Sequence, residues 1–165
     1  ILKRNMLMIR FIGSKVVFYL PSVKTDTPNK HLVSYFVPFD RNKNKILLTS
    51  HKKSGLWLSP GGHVELNEDP YDTVKRECLE ELGCPADFWR DEPLFLTSTL
   101  TVGLTAGYTD VSLCYVIHGQ EKQDYKFDMN EFEAIQWFNF DNIPYENLDP
   151  HLRRFLNKLM IYTKV

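Results

Sequence analysis

Three glutamates, Glu77, Glu80 and Glu81, stand at offsets of zero, three and four residues. In an α-helix this spacing places the three side chains on one face, within about one turn. Like charges this close repel one another unless a positive group lies between them. Carboxylate oxygens are also the ligands that Mg²⁺ and Mn²⁺ prefer. The pattern is therefore typical either of a solvated acidic helix face or of a site for a hard divalent cation.

Residues next to these glutamates could complete such a site. Arg76 can pair with Glu80 one helical turn further on, or hold a neighbouring carboxylate through two parallel hydrogen bonds. The glycine-containing turn at residues 60–62 allows the backbone to approach the same face closely. The carbonyl of Gly62 is then a candidate for a further metal ligand.

Residues 62–84 resemble the Nudix box. In that motif a Gly is followed after five residues by Glu and, after seven more, by Arg-Glu-U-x-Glu-Glu-x-Gly-U, where U is a bulky aliphatic residue. All fixed positions are filled: Gly62, Glu68, Arg76, Glu77, Glu80, Glu81 and Gly83. Cys78 and Cys84 occupy the two aliphatic positions and are small and apolar enough to pack beneath the helix. Similar flanking segments extend the resemblance over roughly residues 31–144.

The resemblance implies a fold and an activity. The implied fold class is α/β (α+β), a Nudix-type α/β/α sandwich around a mixed β-sheet, with residues 1–165 as a single domain. The implied reaction is hydrolysis of the diphosphate bond in a nucleoside diphosphate linked to another group, with water attacking phosphorus. A diphosphate repels a nucleophile, so this chemistry needs a cation that neutralises charge and positions the water.

The resemblance also implies roles for individual residues. Mg²⁺ (or Mn²⁺) is the implied cofactor. Its implied ligands are Glu77, Glu80, Glu81 and the carbonyl of Gly62. Arg76 and Glu68 are implied to support the cluster.

The resemblance implies two candidates for the general base, Glu77 in the box and Glu131, where other members carry a catalytic or metal-binding glutamate. A base must reach the water and should not be committed to strong metal ligation. If Glu77 ligates a metal, its depressed pKa makes it a poor proton acceptor, which favours Glu131 at the end of the polar loop 119–130. If Arg76 holds Glu77 away from the metal, Glu77 is the better base. We favour Glu131 as base or additional ligand.

A few residues outside the three glutamates are candidates for contact with the substrate. His63 follows the double glycine and could touch a phosphate, although an exposed loop histidine without a role fits as well. Trp57 could stack on a nucleobase, but an aromatic residue beside a strand is more often part of the core. Asp110 fits a turn or a capping position better than the cleft.

Two other functions share this resemblance. One is a non-catalytic Nudix-like domain that senses a nucleotide, but such domains typically lose box carboxylates, and all are present here. The other is an isoprenoid diphosphate isomerase, which would need histidine metal ligands and a cysteine in the pocket. The cysteines of this sequence look buried. We therefore expect a hydrolase of a small nucleotide substrate, and a nucleoside triphosphate, a nucleotide sugar and an RNA end all remain open.

Periodicity and turn residues predict the elements that must position these groups. A helix is predicted over Pro70–Leu82, with Asp69 as N-cap, Gly83 as C-cap and an apolar stripe at every fourth residue. This stripe should point inward and the three glutamates outward into a cleft. Further strands are predicted at 31–39, 46–49, 94–102, 111–118 and 132–140, a loop at 55–65, and a closing helix at about 150–161.

An N-terminal hairpin is predicted at about residues 6–20, turning at Gly13 and Ser14. It lies outside the Nudix-like region, so we expect it to cover a sheet edge or to pair with a second subunit in a homodimer. The stretch is too short and too charged to span a bilayer, and the 20 basic and 21 acidic residues give a net charge of −1. We therefore expect a cytoplasmic protein with no membrane partner, and the charge balance gives no reason to expect nucleic acid as the main partner.

Overall fold

The structure is a computed structural model. It describes residues 30–101 and 107–163, and the backbone of two earlier strands, β1 (Leu7–Phe11) and β2 (Ser14–Phe18). These two strands pair antiparallel in a two-stranded sheet of their own. Ser14 belongs to β2 and not to the turn, and Gly13 lies outside the described residues.

The remaining strands and both helices follow in chain order. The strands are β3 (Lys30–Asp40), β4 (Lys45–His51), β5 (Leu56–Leu58), β6 (Gly61–His63), β7 (Phe95–Leu100), β8 (Thr109–His118) and β9 (Phe132–Asn139). Helix α1 spans Pro70–Leu82, between β6 and β7, and helix α2 spans Leu152–Thr163, after β9. The strands are ordered β5-β4-β3-β8-β7, with β6 also paired to β3 and β9 to β4. Strands β3 and β8 are parallel and the other pairs are antiparallel, so the sheet is mixed.

Two predicted boundaries need correction. The segment 55–65, predicted as a loop, contains β5 and β6, each of three residues. Strands this short carry too little periodicity to be recognised before their partners are known. The closing helix begins at Leu152 and not at Pro150, because the Asp149 side chain accepts a hydrogen bond from the backbone of His151 at 2.6 Å and closes a turn there.

The helices cover opposite faces of the sheet. Side chains alternate between the faces of a strand, and on β3 Phe36 packs with the core around α1 while Val37 packs with the core around α2. The three layers confirm the predicted α/β/α sandwich around a mixed sheet. No helix within residues 30–101 and 107–163 is long and apolar enough to cross a bilayer.

Candidate active site

Helix α1 carries the acidic residues, and its ends lie where the sequence predicts. Asp69 accepts a hydrogen bond from the backbone N–H of Tyr71 at 2.8 Å, and Gly83 adopts the left-handed conformation at φ 67°. The predicted apolar stripe is fully buried: Val74, Cys78 and Leu82. The face of α1 beside this stripe carries Glu77 and Glu81, and it meets strand β6.

The three glutamates differ greatly in exposure. The Glu80 side chain is 59% exposed and that of Glu77 only 12%, while the whole Glu81 residue is 5% exposed. The prediction that all three point outward needs correction for Glu81. Its Oε2 accepts a hydrogen bond from the backbone N–H of Gly61 at 2.7 Å, because β6 passes over this part of the helix.

Glu68, Glu77, Glu80 and Glu81 form a group that we call the acidic cluster. Arg76 connects most of its members. Its Nε and one terminal nitrogen donate to the two oxygens of Glu68, at 2.9 and 3.1 Å. The other terminal nitrogen donates to Glu77 at 2.7 Å and to Glu80 at 3.3 Å. The terminal nitrogen that donates to Glu68 also donates a hydrogen bond, 3.2 Å long, to the backbone carbonyl of His63. The fork geometry of a guanidinium thus orients three carboxylates and one strand end at once.

Glu68 anchors Arg76 from the other side. Its Oε2 also accepts hydrogen bonds from the Thr73 hydroxyl at 2.8 Å and from the backbone N–H of Glu65 at 2.9 Å. Burial opposes ionisation of this carboxyl, but the bonds from Arg76, Glu65 and Thr73 outweigh it and leave the pKa of Glu68 below its usual value. Glu68 is therefore a fixed anion that positions Arg76.

The glycines of β6 are required by close contacts. Gly61 has φ 137°, and a Cβ there would overlap the backbone of Ser34 on β3. A Cβ at Gly62 would overlap the carboxylate of Glu77. Only glycine lets the strand lie this close to the acidic face, which places the Gly62 backbone beside Glu77.

The cluster holds more negative charge than its surroundings stabilise. Burial and the charge of Glu77 raise the pKa of Glu81 to about 9, with smaller contributions from Glu131 and Glu80. Burial likewise raises the pKa of Glu77, although Arg76 opposes the shift. Oxygen donors whose ionisation is suppressed by mutual repulsion fit a hard divalent cation, which would relieve both effects. The residues present therefore suit Mg²⁺ or Mn²⁺.

Glu131 lies close to this cluster although it is 50 residues further along the chain than Glu81. Its charge contributes to the raised pKa of both Glu77 and Glu81. Its backbone carbonyl accepts a hydrogen bond from Lys52 at 3.0 Å, which ties the loop to the end of β4. Its side chain is exposed and forms no hydrogen bond or ion pair with the described residues. The carboxylate is thus near the cluster and uncommitted.

The two predicted substrate contacts occupy different environments. His63 is exposed at the end of β6, and its ring centroid lies 5.1 Å from that of His31. Trp57 is half-buried and packs edge-to-face on Phe138 at 5.2 Å, against the core around α2. Asp110 lies inside β8, opposite His31 on β3, and so occupies neither a turn nor a cap.

A cavity on the α2 face of the sheet was not predicted from the sequence. Its lining includes Tyr35, Thr97, Cys114, Asp149 and His151. Burial raises the pKa of the Tyr35 phenol, and the charges of Asp110 and Asp149 add to the shift. The charge of Glu81 has a smaller effect of the same sign, so the phenol that lines the cavity also lies within electrostatic reach of Glu81. The expectation that the cysteines are buried holds for Cys78, whereas Cys84 and Cys114 are half-buried and Cys114 borders the cavity.

The chain is similar to known proteins along most of the described region. It is 28% identical over 109 residues to the NAD-capped RNA hydrolase NudC of Vibrio atlanticus (strain LGP32), which covers 63% of this chain but 36% of that one. A MutT-like protein of Streptomyces ambofaciens is 28% identical over 133 residues, 81% of this chain and 80% of the relative. The crystal structure of a MutT NUDIX hydrolase from Burkholderia pseudomallei matches with a TM-score of 0.65 at 25% identity, covering 78% of this chain and 97% of that one.

The chain spans little more than a third of the length of NudC, so only part of that relative is represented. The family profile of the NUDIX domain matches residues 30–159, which include every strand of the main sheet, α1 and the acidic cluster. From this match and from the filled positions of the box, the chain belongs to the Nudix hydrolase family.

Proposed function

We propose that this protein hydrolyses a diphosphate linkage in a nucleoside diphosphate joined to another group, using Mg²⁺ or Mn²⁺. The observation that carries the proposal is the Arg76-organised cluster of four glutamates, in which burial and repulsion raise the pKa of Glu77 and Glu81. A structural acidic surface would not bury like charges together, since each loses solvation and gains repulsion. The arrangement is costly for folding and suited to holding cations.

The residues divide the work of this reaction. A bound Mg²⁺ supplies charge neutralisation for the diphosphate and polarises the attacking water. Glu77, Glu80 and Glu81, with the Gly62 carbonyl, are the proposed ligands. Arg76 holds Glu77 and Glu80 in place, and Glu68 holds Arg76. Orientation of this kind counts because phosphoryl transfer relies on positioning and electrostatics more than on covalent chemistry.

Glu131 is our proposed general base. A base needs to lie near the water without being fixed by other strong partners. Glu131 lies near Glu77 and Glu81 and its carboxylate is uncommitted among the described residues. Glu77 is the alternative base if its hydrogen bond with Arg76, 2.7 Å long, holds it away from the metal.

Two isosteric variants separate these roles. In Glu131→Gln we expect a large loss of turnover with Mg²⁺ affinity close to that of the wild type. In Glu77→Gln we expect both turnover and Mg²⁺ affinity to fall. Rates come from release of nucleoside monophosphate and affinities from calorimetric titration of the full chain. Normal turnover in Glu131→Gln would remove Glu131 from the mechanism.

The cavity on the α2 face is our candidate for the nucleoside part of the substrate. It offers aromatic, hydroxyl and carboxylate groups, from Tyr35, Thr97 and Asp149, and the Tyr35 phenol lies within electrostatic reach of Glu81. Concave sites with a few polar groups are the usual form of small-molecule sites. The NudC relative is named for NAD-capped RNA, so a capped RNA end is the alternative substrate.

A substrate panel decides the proposal. It should contain nucleoside triphosphates, nucleotide sugars, dinucleotides, NAD-capped RNA and an isoprenoid diphosphate, each with excess Mg²⁺ and each with a chelator. We expect nucleoside monophosphate to be released from at least one small nucleotide, and only with the cation. Turnover undiminished in chelator would refute the metal dependence. Tight binding of a nucleotide without turnover would instead identify a sensing domain.

The isomerase alternative is kept in this panel because of Cys114, which borders the cavity. Burial raises the pKa of its thiol, so the group is a neutral thiol at physiological pH. Isomerisation of an isoprenoid diphosphate that is lost in Cys114→Ala would establish this alternative. We expect no such isomerisation.

The homodimer also remains a proposal. The β1–β2 hairpin is a separate two-stranded sheet, and isolated hairpins are only marginally stable in water. Pairing of this hairpin with a second subunit would make it part of a larger and more stable sheet. Light scattering on the full chain should then give twice the mass of one chain, whereas a monomeric mass would dispose of the dimer.

A further inference from the structure

A second group of potential ligands lies apart from the four glutamates of the acidic cluster. It consists of His31 on β3, His63 at the end of β6 and Asp110 on β8, which we call the histidine cluster. One ligand atom from each residue lies within 4.8 Å of the others. The sheet produces this convergence, because His31 is directly opposite Asp110 in the parallel β3–β8 pair and His63 is opposite Val33.

His31 is the most informative member. The residue is 4% exposed, and its Nε2 has no hydrogen-bond partner among the described residues. Buried polar atoms are nearly always paired, so an unpaired imidazole nitrogen inside a ligand cluster needs an explanation. Its Nδ1 lies 3.6 Å from Oδ1 of Asp110, which is too long for a hydrogen bond. Protein contacts alone therefore leave this imidazole only partly satisfied.

We propose that His31, His63 and Asp110 bind a divalent transition-metal ion of the zinc class. Two imidazoles and one carboxylate are a donor set that such ions prefer, whereas Mg²⁺ prefers oxygen ligands alone. Atoms that share a zinc ion at tetrahedral angles are separated by about 3.4 Å, given Zn–N distances of about 2.1 Å. A modest contraction of the cluster therefore suffices.

The two remaining features of the cluster also suit a metal ion. His63 is exposed, which provides a path for the ion to enter and a position for a fourth, solvent or substrate ligand. Strands β3, β6 and β8 are hydrogen-bonded to each other through β3, so the three ligands are held by a rigid part of the sheet. Rigid elements give metal sites their geometry.

The site can be tested on the full chain with Co²⁺, whose visible absorption reports its coordination, in the presence of excess Mg²⁺ to occupy the acidic cluster. We expect one equivalent of Co²⁺ to bind, with bands typical of nitrogen and oxygen ligands, and Zn²⁺ to displace it. Asp110→Asn and His63→Ala should each lower the Co²⁺ affinity by more than about tenfold. His118→Ala, which removes an exposed histidine from the same strand as Asp110, should leave it unchanged.

Asp110→Asn is the decisive variant because it keeps the size of the side chain, and circular dichroism of the metal-free protein checks its fold. Zn²⁺ should raise the melting temperature of the wild type and not that of this variant. Absence of Co²⁺ bands in the wild type would overturn the proposal, as would equal affinity in Asp110→Asn. Loss of the bands in Glu81→Gln would assign the ion to the acidic cluster and would overturn it too.

Discussion

The acidic cluster and the histidine cluster meet at His63, whose backbone carbonyl accepts a hydrogen bond from Arg76 and whose ring approaches His31. The acidic cluster is built mainly from one helix, contains oxygen donors and is organised by an arginine. The histidine cluster is built from three strands, is richer in nitrogen and contains a buried atom, Nε2 of His31, that has no hydrogen-bond partner within the described part of the chain. The difference shows that two sets of ligands can meet at one strand end and still suit different ions. Carboxylate oxygens suit a hard cation such as Mg²⁺, and imidazole nitrogens suit an ion of the zinc class.

The largest expected effect concerns the charge of the acidic cluster. Glu81→Gln keeps the size of the side chain and an oxygen that can accept the hydrogen bond from Gly61, but it removes a charged ligand. We expect kcat/KM with Mg²⁺ to fall by more than about 100-fold, since ligand loss exceeds the 10–100-fold cost of outer-shell changes. Steady-state kinetics of the full chain provide the measurement.

Glu133→Gln is the matched control, because Glu133 is an exposed glutamate on β9 outside both clusters. Its kcat/KM should equal that of the wild type. A similar loss in both variants would mean that general surface charge, and not the cluster, controls the rate.

The next effect concerns the backbone on which the acidic cluster depends. In Gly62→Ala the new methyl group would overlap the Glu77 carboxylate, so Glu77 or β6 must move. We expect kcat/KM to fall by about 10–100-fold, comparable to the loss of an outer-shell partner, with all charges retained. Affinity for Mg²⁺, measured by calorimetry, should weaken in parallel. Unchanged Mg²⁺ affinity and turnover would show that contact between β6 and Glu77 is unimportant.

A third effect appears in the stability of the metal-free protein. The folded-state pKa of Glu81, about 9, lies above its usual value, so the folded state binds this proton more tightly than the unfolded state does. The stability that depends on the proton is fully present below about pH 4.5 and is lost as the pH rises toward 9. Glu81→Gln cannot lose a proton there.

We therefore expect Glu81→Gln to be more stable than the wild type by about 1–3 kcal/mol at high pH in chelator. The difference should shrink near pH 5, where the wild-type side chain is protonated. Urea unfolding at both pH values measures it. Glu80→Gln, at an exposed position, should show no such divergence. Equal stabilities of Glu81→Gln and wild type at high pH would contradict the burial of an ionisable group.

The two clusters also differ in how far the sequence predicts them. Glu77, Glu80 and Glu81 are neighbours on one helix, so spacing alone places them together, and the capping residues locate that helix correctly. His31 and Asp110 are 79 residues apart and meet only through the parallel pairing of β3 and β8. No local pattern encodes such a pairing. Burial of Glu81 likewise depends on β6, a strand of three residues that carries almost no periodic signal.

The smallest expected effect concerns the cap of α1. Asp69 accepts a hydrogen bond from Tyr71, and its backbone carbonyl accepts one from Thr73, whose hydroxyl holds Glu68. Asp69→Ala should lower the free energy of unfolding by about 1 kcal/mol. The first turn of α1 should fray, and kcat/KM should fall only a few-fold because Arg76 lies nearly two turns further along the helix.

Asp72→Ala is the control, since Asp72 is exposed and forms only a surface ion pair with Lys75 at 2.8 Å. The sharper comparison is with the histidine cluster. Strands β3, β6 and β8 hold that cluster, so Asp69→Ala should leave its Co²⁺ affinity at the wild-type value while Mg²⁺ affinity weakens slightly. If both affinities fell by the same factor, the clusters would share one support, and Arg76, bonded to both Glu68 and the His63 carbonyl, would be the residue that couples them.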